Sequence, residues 1–368
     1  MSIKYLVLYG ALGDAYGAGP EMKSSQEIAK LDLDQYHLRD KLATGYRKGL
    51  ITDDTWMSIA LMRTLMTMTI DVENVENVEK YVNTKTLLKA YTEVYNEETK
   101  YIRDRGYIGP DEDKGSWWGQ IALYIENKKT YEDMQKSMSS KTGIGLDQTG
   151  NGSLMRAMCL GSFKDISLIK KLSYIDSKST HDNQLAIDGE YLIAMLANYM
   201  LYKEVCHDDI IKYIISVTDN NRIIDYLTII DTLPDYETEE TLILNNDVHK
   251  QLTENNPFPK IQTSGGITLT INEGNGVPGF VLYTLGAVLH VLKCHKKDTK
   301  LSITLKRLIL LGGDTDSFCS MGLSVLGARY GSTETDDINK ELLLKLEPNK
   351  LINKIAEQFS SFIQNYNN

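Results

Sequence analysis

Apolar residues recur at spacings of three and four over most of the chain, which is the pattern of α-helices. The segment "TWMSIALMRTLMTM" at 55–68 shows this period, and segments 181–201, 281–292 and 317–331 repeat it. Alternating strand patterns are scarce, and "GGITLTINEG" at 265–274 is the best candidate for a short hairpin. The pattern therefore predicts an all-α protein.

The N-terminal stretch "MSIKYLVLYGALGDAYGAG" has the apolar run of a weak signal peptide. We favour a buried first helix instead, because Gly10, Gly13 and Asp14 interrupt the run. No stretch approaches the roughly 20 consecutive apolar residues of a membrane span, so no membrane association is expected.

The chain has 368 residues, 42% of them apolar, which is enough for a substantial core. Its length allows one large domain or two smaller ones. Regions 70–106 and 219–262 are charged or polar and are predicted to be peripheral elaborations.

The four cysteines are widely spaced and form no C-x-x-C pair, which argues against a disulfide framework or a zinc–thiolate site. A reducing, cytoplasmic compartment is therefore expected.

The net charge is −10, from 40 basic and 50 acidic side chains. This charge argues against a nucleic-acid partner held through its phosphate backbone. An anionic substrate would have to be held by metal ions, helix N-termini or a few well-placed cations.

Two short segments far apart in the chain each carry a pair of aspartates among hydroxyl residues, just before a helical period. They are "LITDDTWM" at 50–57 and "LGGDTDSF" at 311–318. The first segment, taken alone, is better explained as a helix N-cap than as a metal site. The second segment favours a metal site, because Gly312 and Gly313 permit a tight turn that directs two carboxylates at one point. Together the segments offer hard oxygen ligands, which suit Mg²⁺, Mn²⁺ or Ca²⁺.

A third acidic element is "GDAYGAGPEM" at 13–22. Asp14 is better explained as a buried, hydrogen-bonded structural carboxylate than as a ligand. For Glu21, a solvated loop residue and a catalytic residue are equally good interpretations.

The chain resembles the ADP-ribosylglycohydrolase family. The matching segments are "GDAYGAGPE" (13–21), "TDDTWMSIAL" (52–61), "GNGSLMRA" (150–157), "THDNQLAIDGEYLIAML" (180–196) and "GGDTDSFCSMG" (312–322). Each match is weak alone, but five in the family's order over nearly the whole chain are specific. The resemblance implies one compact domain over 1–368, an orthogonal multi-helix all-α fold, and a binuclear centre of two Mg²⁺ ions, with Mn²⁺ possible.

The resemblance also implies roles for individual residues. The metal ligands would be Thr52, Asp53, Asp54, Asp314, Asp316 and Ser317, and the catalytic carboxylates would be Glu21 and Asp54. The substrate contacts would be Gly150, Asn151, Gly152, Ser153, His181, Tyr107 and Phe280, with a helix starting at Leu154. Considered without the family, the loop at 150–153 is an ordinary capped turn, and Phe280 is more often a core residue than an adenine platform.

The implied activity is hydrolysis that frees ADP-ribose from a modified protein side chain, with arginine favoured, or from a small ADP-ribose conjugate. Cleavage at the anomeric carbon passes through an oxocarbenium-like state. Glu21, or a free oxygen of Asp54, would accept a proton from the attacking water. Two alternatives stay open: a metal-dependent nucleotide phosphohydrolase, and a relative that binds ADP-ribose without cleaving it.

Overall fold

The structure, a computed structural model, describes most of the chain in six long segments and several short ones. These are residues 2–37, 48–68, 75–106, 149–204, 206–233 and 276–367, with 118, 121, 125, 130, 132–133, 235, 261–262 and 268–269.

The described residues are mainly helical, as the apolar period predicts. The α-helices are α1 (Ile3–Gly17), α2 (Ser25–Ile28), α3 (Asp53–Leu65), α4 (Thr84–Asp104), α5 (Ile166–Thr180), α6 (Gln184–Tyr202), α7 (Ile210–Ser216), α8 (Asn221–Asp231), α9 (Val281–Lys293), α10 (Leu301–Ile309), α11 (Thr315–Tyr330), α12 (Lys340–Leu344) and α13 (Asn349–Tyr366). Three 3₁₀ helices span Val75–Lys80, Asn151–Ser162 and His207–Asp209. The four helices expected from the sequence are confirmed as α3, α6, α9 and α11, and the all-α fold class is confirmed.

Among the described residues, the β-strands form one short antiparallel pair. Strand β1 (Ile261–Gln262) pairs with β2 (Thr268–Leu269), with Ile261 opposite Leu269. Strand β2 lies within the predicted segment 265–274, whereas β1 precedes it. The other residues of that segment lie outside the described part of the chain.

Helices α1 and α11 pack lengthwise against each other at the centre of the fold. Helix α1 is buried from Leu6 to Gly17, so the predicted buried first helix is confirmed. At one end of the pair the Ser324 hydroxyl donates to the Leu6 carbonyl (2.7 Å). At the other end the Thr315 hydroxyl donates to the Gly17 carbonyl (2.7 Å). The C-terminal end of α1 is thereby fixed beside the first turn of α11.

The outer helices bury one face each. Helix α13 buries Ile352, Ile355, Ala356, Phe359 and Ile363, which recur at helical spacing, and packs against α1 and α3. A single cluster of buried apolar side chains includes residues from every long described segment. None of the described helices is long and apolar enough to cross a membrane.

The two regions predicted to be peripheral contribute helices that pack on this framework. Helix α4, in region 70–106, packs against α3 and α5, and it buries Tyr91 and Glu98. Helix α8, in region 219–262, packs against α7 and α9. The single-domain organisation stays a prediction.

A cluster of buried imidazoles lies where the C-terminal end of α9 meets α10 and α11. The His295 ring is fully buried 4.9 Å from the His207 ring, and its Nδ1 is 2.7 Å from the Thr304 hydroxyl. Its Nε2 has no hydrogen-bond partner among the described residues. Burial, with the neighbouring His207 and Arg307, lowers the pKa of His295 to about 3. Between pH 6.5 and about 3, His295 is therefore neutral in the folded protein and protonated in the unfolded chain.

We expect the free energy of unfolding to decrease as the pH falls from the ordinary histidine pKa of 6.5 toward 3, because the unfolded state then binds the extra proton. Between pH 7.5 and 5.0 the contribution of His295 is about 2 kcal/mol. Urea unfolding of His295→Gln at both pH values should show a smaller difference in the free energy of unfolding than wild type does. An unchanged pH dependence in His295→Gln would contradict the assignment.

Candidate active site

Asp14 anchors the N-terminus of α3. Its buried carboxylate accepts the backbone N–H of Thr52 (3.0 Å) and of Thr55 (3.1 Å), together with both threonine hydroxyls. Burial raises the pKa of Asp14 to about 7, even though the hydrogen bonds from Thr55 and Thr52 lower it. The interpretation of Asp14 as a buried structural carboxylate is confirmed, and its effect is to fix where α3 begins.

The helix cap predicted at Thr52 is also confirmed, because its side chain accepts the Asp54 N–H. The Thr52 hydroxyl also donates to Asp14 (2.8 Å), and the residue is fully buried. Asp53 and Asp54 occupy the first turn of α3. Their position at the positive end of the helix dipole favours ionised carboxylates.

The second aspartate pair is held by two glycines in the left-handed region. Gly312 has φ +69° and Gly313 has φ +76°, which confirms the predicted tight turn. The N–H of Asp314 then donates to the Val277 carbonyl (3.0 Å), and Asp316 lies in the first turn of α11. This turn directs both carboxylates into the same cavity.

The loop that carries Glu21 is tied to the same turn. The N–H of Met22 donates to the Gly313 carbonyl (2.7 Å), and the N–H of Gly313 donates to the Lys23 carbonyl (2.9 Å). As a result, oxygens of Glu21, Asp314 and Asp316 all lie within 4.8 Å of one another. Glu21 is therefore part of the acidic cluster that lines the cavity, and its catalytic role stays a prediction.

The two aspartate pairs meet in one cavity of about 300 Å³. Its described lining residues are Glu21, Asp53, Asp54, Met57, Trp118, Ile121, Asn151, Gly152, Met155, Arg156, Thr180, His181, Asp314, Asp316 and Ser317. The Ser317 hydroxyl is 3.5 Å from Asp54 Oδ2, which links the first turn of α11 to that of α3. The convergence expected from the sequence is therefore present in the fold.

The crowded carboxylates disfavour each other's ionisation. Burial, followed by the charge of Asp316, raises the pKa values of Asp53, Asp54 and Asp314 well above the ordinary aspartate range. Asp54 Oδ1 is buried and has no hydrogen-bond partner among the described residues. A divalent cation would compensate both features, and these hard oxygen donors suit Mg²⁺ or Mn²⁺. The residues present therefore fit a metal centre.

The glycine-rich segment meets this centre through Asn151. Its N–H donates to the Gly279 carbonyl (3.0 Å), and its side-chain amide donates to Asp314 and to the Thr284 hydroxyl (3.0 Å). A bridge between Gly150 and Phe280 fixes the chain just before this point. The helix consequently begins at Asn151 and is a 3₁₀ helix, so the prediction of a start at Leu154 was wrong.

We expect Asn151→Ala to weaken Mg²⁺ binding by about 10- to 100-fold, because Asp314 loses the donor that orients its carboxylate. Isothermal titration of the full chain with Mg²⁺ measures the effect. Asn198→Ala is the matched control, since the Asn198 amide is buried but donates to the Gly161 and Phe163 carbonyls. Wild-type Mg²⁺ affinity in Asn151→Ala would contradict an orienting role.

His181 is held over the loop by contacts with Gly152 and Thr180. Its ring lies against Gly152, where a Cβ would be 2.9 Å from the ring carbon Cε1. The Arg156 guanidinium donates to the Thr180 hydroxyl (2.8 Å), which is 2.8 Å from His181 Nδ1. Burial, followed by the charge of Arg156, lowers the pKa of His181 to about 3. The ring is therefore neutral, and we assign the tautomer in which Nδ1 accepts the Thr180 proton and Nε2 carries the ring proton.

Arg156 itself is fixed behind the cavity. Its Nε donates to Asp176 (2.7 Å) and its Nη1 to the Gly152 carbonyl (2.6 Å), in a fully buried ion pair. Its guanidinium is thus used to hold the loop and His181 in place.

Two predicted substrate contacts, Ser153 and Phe280, are not among the described residues that line the cavity. Ser153 is fully buried, with its hydroxyl 3.4 Å from the Ala186 carbonyl. Phe280 is 2% exposed and packs edge-on against Tyr283, as a core residue would. Tyr107 lies outside the described residues. Their roles in substrate binding stay predictions.

Trp118 is a lining residue that sequence reasoning missed. Its indole N–H donates to Glu98 of α4, and its ring packs edge-on against Tyr95 (5.5 Å between centroids). Ile121, one helical turn later, lines the same wall, and so do Met57 and Met155. The available signal was the tryptophan pair at 117–118 within a polar, glycine-bearing segment.

Comparison with known proteins identifies the family of the chain. The model of the ADP-ribosylglycohydrolase family matches residues 4–367. The chain is 23% identical to ADP-ribosylhydrolase ARH3 of Xenopus tropicalis over 342 residues, which cover 89% of this chain and 87% of that protein. It is 22% identical to ARH3 of Homo sapiens over 309 residues, covering 78% and 72% respectively.

A solved structure described as an ADP-ribosylglycohydrolase-related protein complex shares the fold. It superposes with a TM-score of 0.58 at 15% identity and covers 98% of this chain and 99% of its own. Because the family model spans nearly the whole chain, the protein belongs to the ADP-ribosylglycohydrolase family.

Proposed function

We propose that the protein is a metal-dependent hydrolase that releases ADP-ribose from ADP-ribosylated protein side chains, arginine first, or from a small ADP-ribose conjugate. The observation that carries this proposal is the convergence of Asp53 and Asp54 with Asp314 and Asp316 in one cavity beside the glycine-rich loop. The family match and the curated names of the relatives support the substrate class.

Two Mg²⁺ ions, or Mn²⁺, are the proposed cofactors. The residues that would hold them are Thr52, Asp53, Asp54, Asp314, Asp316 and Ser317. Bound ions would supply positive charge and lower the pKa of a nearby water. The buried Asp54 Oδ1 without a partner among the described residues supports this assignment.

The protein's own groups would bind the sugar and phosphates. Gly152 lies in the first turn of the 3₁₀ helix and presents backbone without a Cβ to the cavity, where an anion can approach closely. The His181 Nε2–H offers a neutral donor to a ribose hydroxyl or a phosphate oxygen. Among the described lining residues Arg156 is the one arginine or lysine, and it is committed to Asp176. This scarcity of cations favours a glycohydrolase over a phosphohydrolase.

A carboxylate must take a proton from the attacking water. Glu21 and Asp54 are the proposed acceptors, since both line the cavity and lie at the metal-ligand cluster. An acceptor fixed at hydrogen-bond distance of the water contributes about 10²- to 10⁴-fold to the rate.

Charge supports arginine as the favoured linkage. Five carboxylates line the cavity, at Glu21, Asp53, Asp54, Asp314 and Asp316. If all five are ionised, two divalent ions leave one negative charge uncompensated. That charge suits the positively charged guanidinium of a modified arginine and opposes a carboxylate or phosphate at the same position.

We expect the purified protein to release free ADP-ribose from an arginine-ADP-ribosylated protein in the presence of Mg²⁺, and to lose this activity in EDTA. Serine- and glutamate-linked substrates measured in parallel identify the preferred linkage. A nucleoside monophosphate as product would instead support the phosphohydrolase. Tight ADP-ribose binding without turnover of any substrate would support a non-catalytic relative.

The proposed setting is cytoplasmic, with no nucleic-acid or membrane partner. The four cysteines support it, since no disulfide joins any two of Cys159, Cys206, Cys294 and Cys319, all of which lie in the described part of the chain.

A further inference from the structure

A group of buried polar and charged side chains lies behind the glycine-rich loop, outside the metal centre. It consists of Arg156 on the 3₁₀ helix, Tyr91 on α4, Asp176 on α5 and Glu190 on α6. All four side chains are fully buried. Helix α5 packs against α4, α6 and the 3₁₀ helix, so the group lies where these four elements meet. We call it the Arg156 cluster.

Three members of the Arg156 cluster are bonded to one another. Arg156 Nε donates to Asp176 Oδ2 (2.7 Å), and the Tyr91 hydroxyl donates to Asp176 Oδ1. The guanidinium carbon of Arg156 lies 5.0 Å from the centre of the Tyr91 ring. One buried cation thus faces one buried carboxylate, and their charges cancel. A second ionised carboxylate would leave a negative charge without a counter-ion in the cluster, which is costly in a buried environment.

Glu190 supplies the second carboxyl group of the cluster. Asp176 and Ser177 of α5 lie within hydrogen-bond range of it, but the Ser177 hydroxyl donates to the His181 carbonyl (3.2 Å). Neither oxygen of Glu190 receives a hydrogen bond from the described residues. Burial, followed by the charge of Asp176, raises the pKa of Glu190 well above the ordinary glutamate range, although Arg156 lowers it. An ionised Glu190 would be unsatisfied and would repel Asp176, whereas the O–H of a protonated Glu190 can donate to Asp176.

Arg156 connects this cluster to the proposed active site. Its Nη1 donates to the Gly152 carbonyl (2.6 Å), and its Nη2 donates to the Thr180 hydroxyl (2.8 Å), which is 2.8 Å from His181 Nδ1. Gly152 and His181 both line the cavity. A displacement of the guanidinium would therefore displace two of the groups that are proposed to contact the substrate.

We propose that Glu190 is a positioning residue that stays protonated in the active protein and donates its proton to Asp176. The shared proton would keep the Arg156 cluster neutral, and it would hold Asp176 in the orientation that directs Arg156 toward the glycine-rich loop. Substrate affinity would then require a hydrogen-bond donor at position 190 and not a negative charge. The effect on ADP-ribose rests on the proposed function, whereas the protonation of Glu190 does not.

Infrared spectroscopy of the full-length, Mg²⁺-loaded protein at neutral pH tests the protonation. A protonated carboxyl group gives a C=O stretching band that an ionised carboxylate lacks. The difference between wild type and Glu190→Gln should show the loss of one such band, which separates Glu190 from the other buried carboxyl groups. Asp188→Asn is the control on the same helix, because Asp188 accepts from Gln184 (2.8 Å) and Asn220 (2.6 Å), and it should leave the band in place. An identical band in wild type and Glu190→Gln would overturn the proposal.

Calorimetric titration of the same protein with ADP-ribose tests the positioning role. Glu190→Gln keeps the volume and a donor, so its dissociation constant should stay within about twofold of wild type. Glu190→Met has a similar volume but no donor, and it should weaken binding about tenfold. Wild-type affinity in Glu190→Met, or equal weakening in both variants, would overturn the positioning role. If the wild type does not bind ADP-ribose, the proposed function and the positioning role both fail, while the infrared result still decides the protonation of Glu190.

Discussion

Asp316→Asn is expected to lower metal-dependent ADP-ribose release by about 10³-fold, because it removes several kcal/mol of charge stabilisation from the centre. Asp316 is the central member of the cluster. After burial, its charge is the largest influence that raises the pKa values of Asp53, Asp54 and Asp314. The same substitution should stabilise the metal-free protein, since four crowded carboxylates in the cavity repel one another less than five do. Activity should therefore fall while the stability measured in EDTA rises.

Urea unfolding in EDTA and ADP-ribose release in Mg²⁺ measure the two effects. Asp336→Asn is the control, and its effect on stability should be opposite to that of Asp316→Asn. Asp336 accepts from the Tyr9 hydroxyl (2.6 Å) and pairs with Lys340, and the substitution weakens both contacts. It should destabilise the protein and leave the Mg²⁺ affinity unchanged. Activity of Asp316→Asn within tenfold of wild type would contradict the metal-centre assignment, and so would a loss of stability in EDTA.

Local patterns in the sequence were sufficient to predict four of the helices and the two helix N-termini that carry the aspartate pairs. The period of three and four identifies α3, α6, α9 and α11. The structure buries α9 and α11 on every side, from Val281 to Leu292 and from Thr315 to Ala328. The aspartate pairs could be recognised because they lie at helix N-termini, where caps and ligands share the same residue types. Glycines before Asp314 indicated the tight turn, which the left-handed φ angles confirm.

Features that depend on distant contacts could not be predicted in this way. Glu21 reaches the cluster because its loop pairs with Gly313, and no local pattern around Glu21 encodes that pairing. Trp118 reaches the cavity wall because its indole finds Glu98 on α4, a helix whose charged sequence suggested a peripheral position. Likewise, the tautomer of His181 depends on Arg156, whose role requires the buried partner Asp176. Each case combines residues that only the folded chain brings together.

The glycines of α1 offer a graded test of how closely two helix backbones must approach to assemble the site. Gly10, Gly13 and Gly17 all face α11. A Cβ on Gly13 would overlap the Cys319 carbonyl, and one on Gly17 would overlap the backbone of Thr315 and Asp316. A Cβ on Gly10 would instead meet the Ser324 side chain at 3.3 Å, which is tight but tolerable. The constraint is therefore severe at both Gly13 and Gly17, and Gly17 is the one that lies against Asp316, a proposed metal ligand.

We expect Gly17→Ala to lower the free energy of unfolding by about 3 kcal/mol, because neither helix backbone can shift without repacking the centre of the fold. Its Mg²⁺ affinity should also fall by about 10- to 100-fold, since displacement of Asp316 disturbs a ligand. Gly13→Ala should cost similar stability with a smaller effect on Mg²⁺. Gly10→Ala should be nearly neutral, since the tight contact is offset by about 1 kcal/mol of helix propensity. Equal effects of all three substitutions on Mg²⁺ binding would show that helix separation, and not the position of Asp316, controls the site.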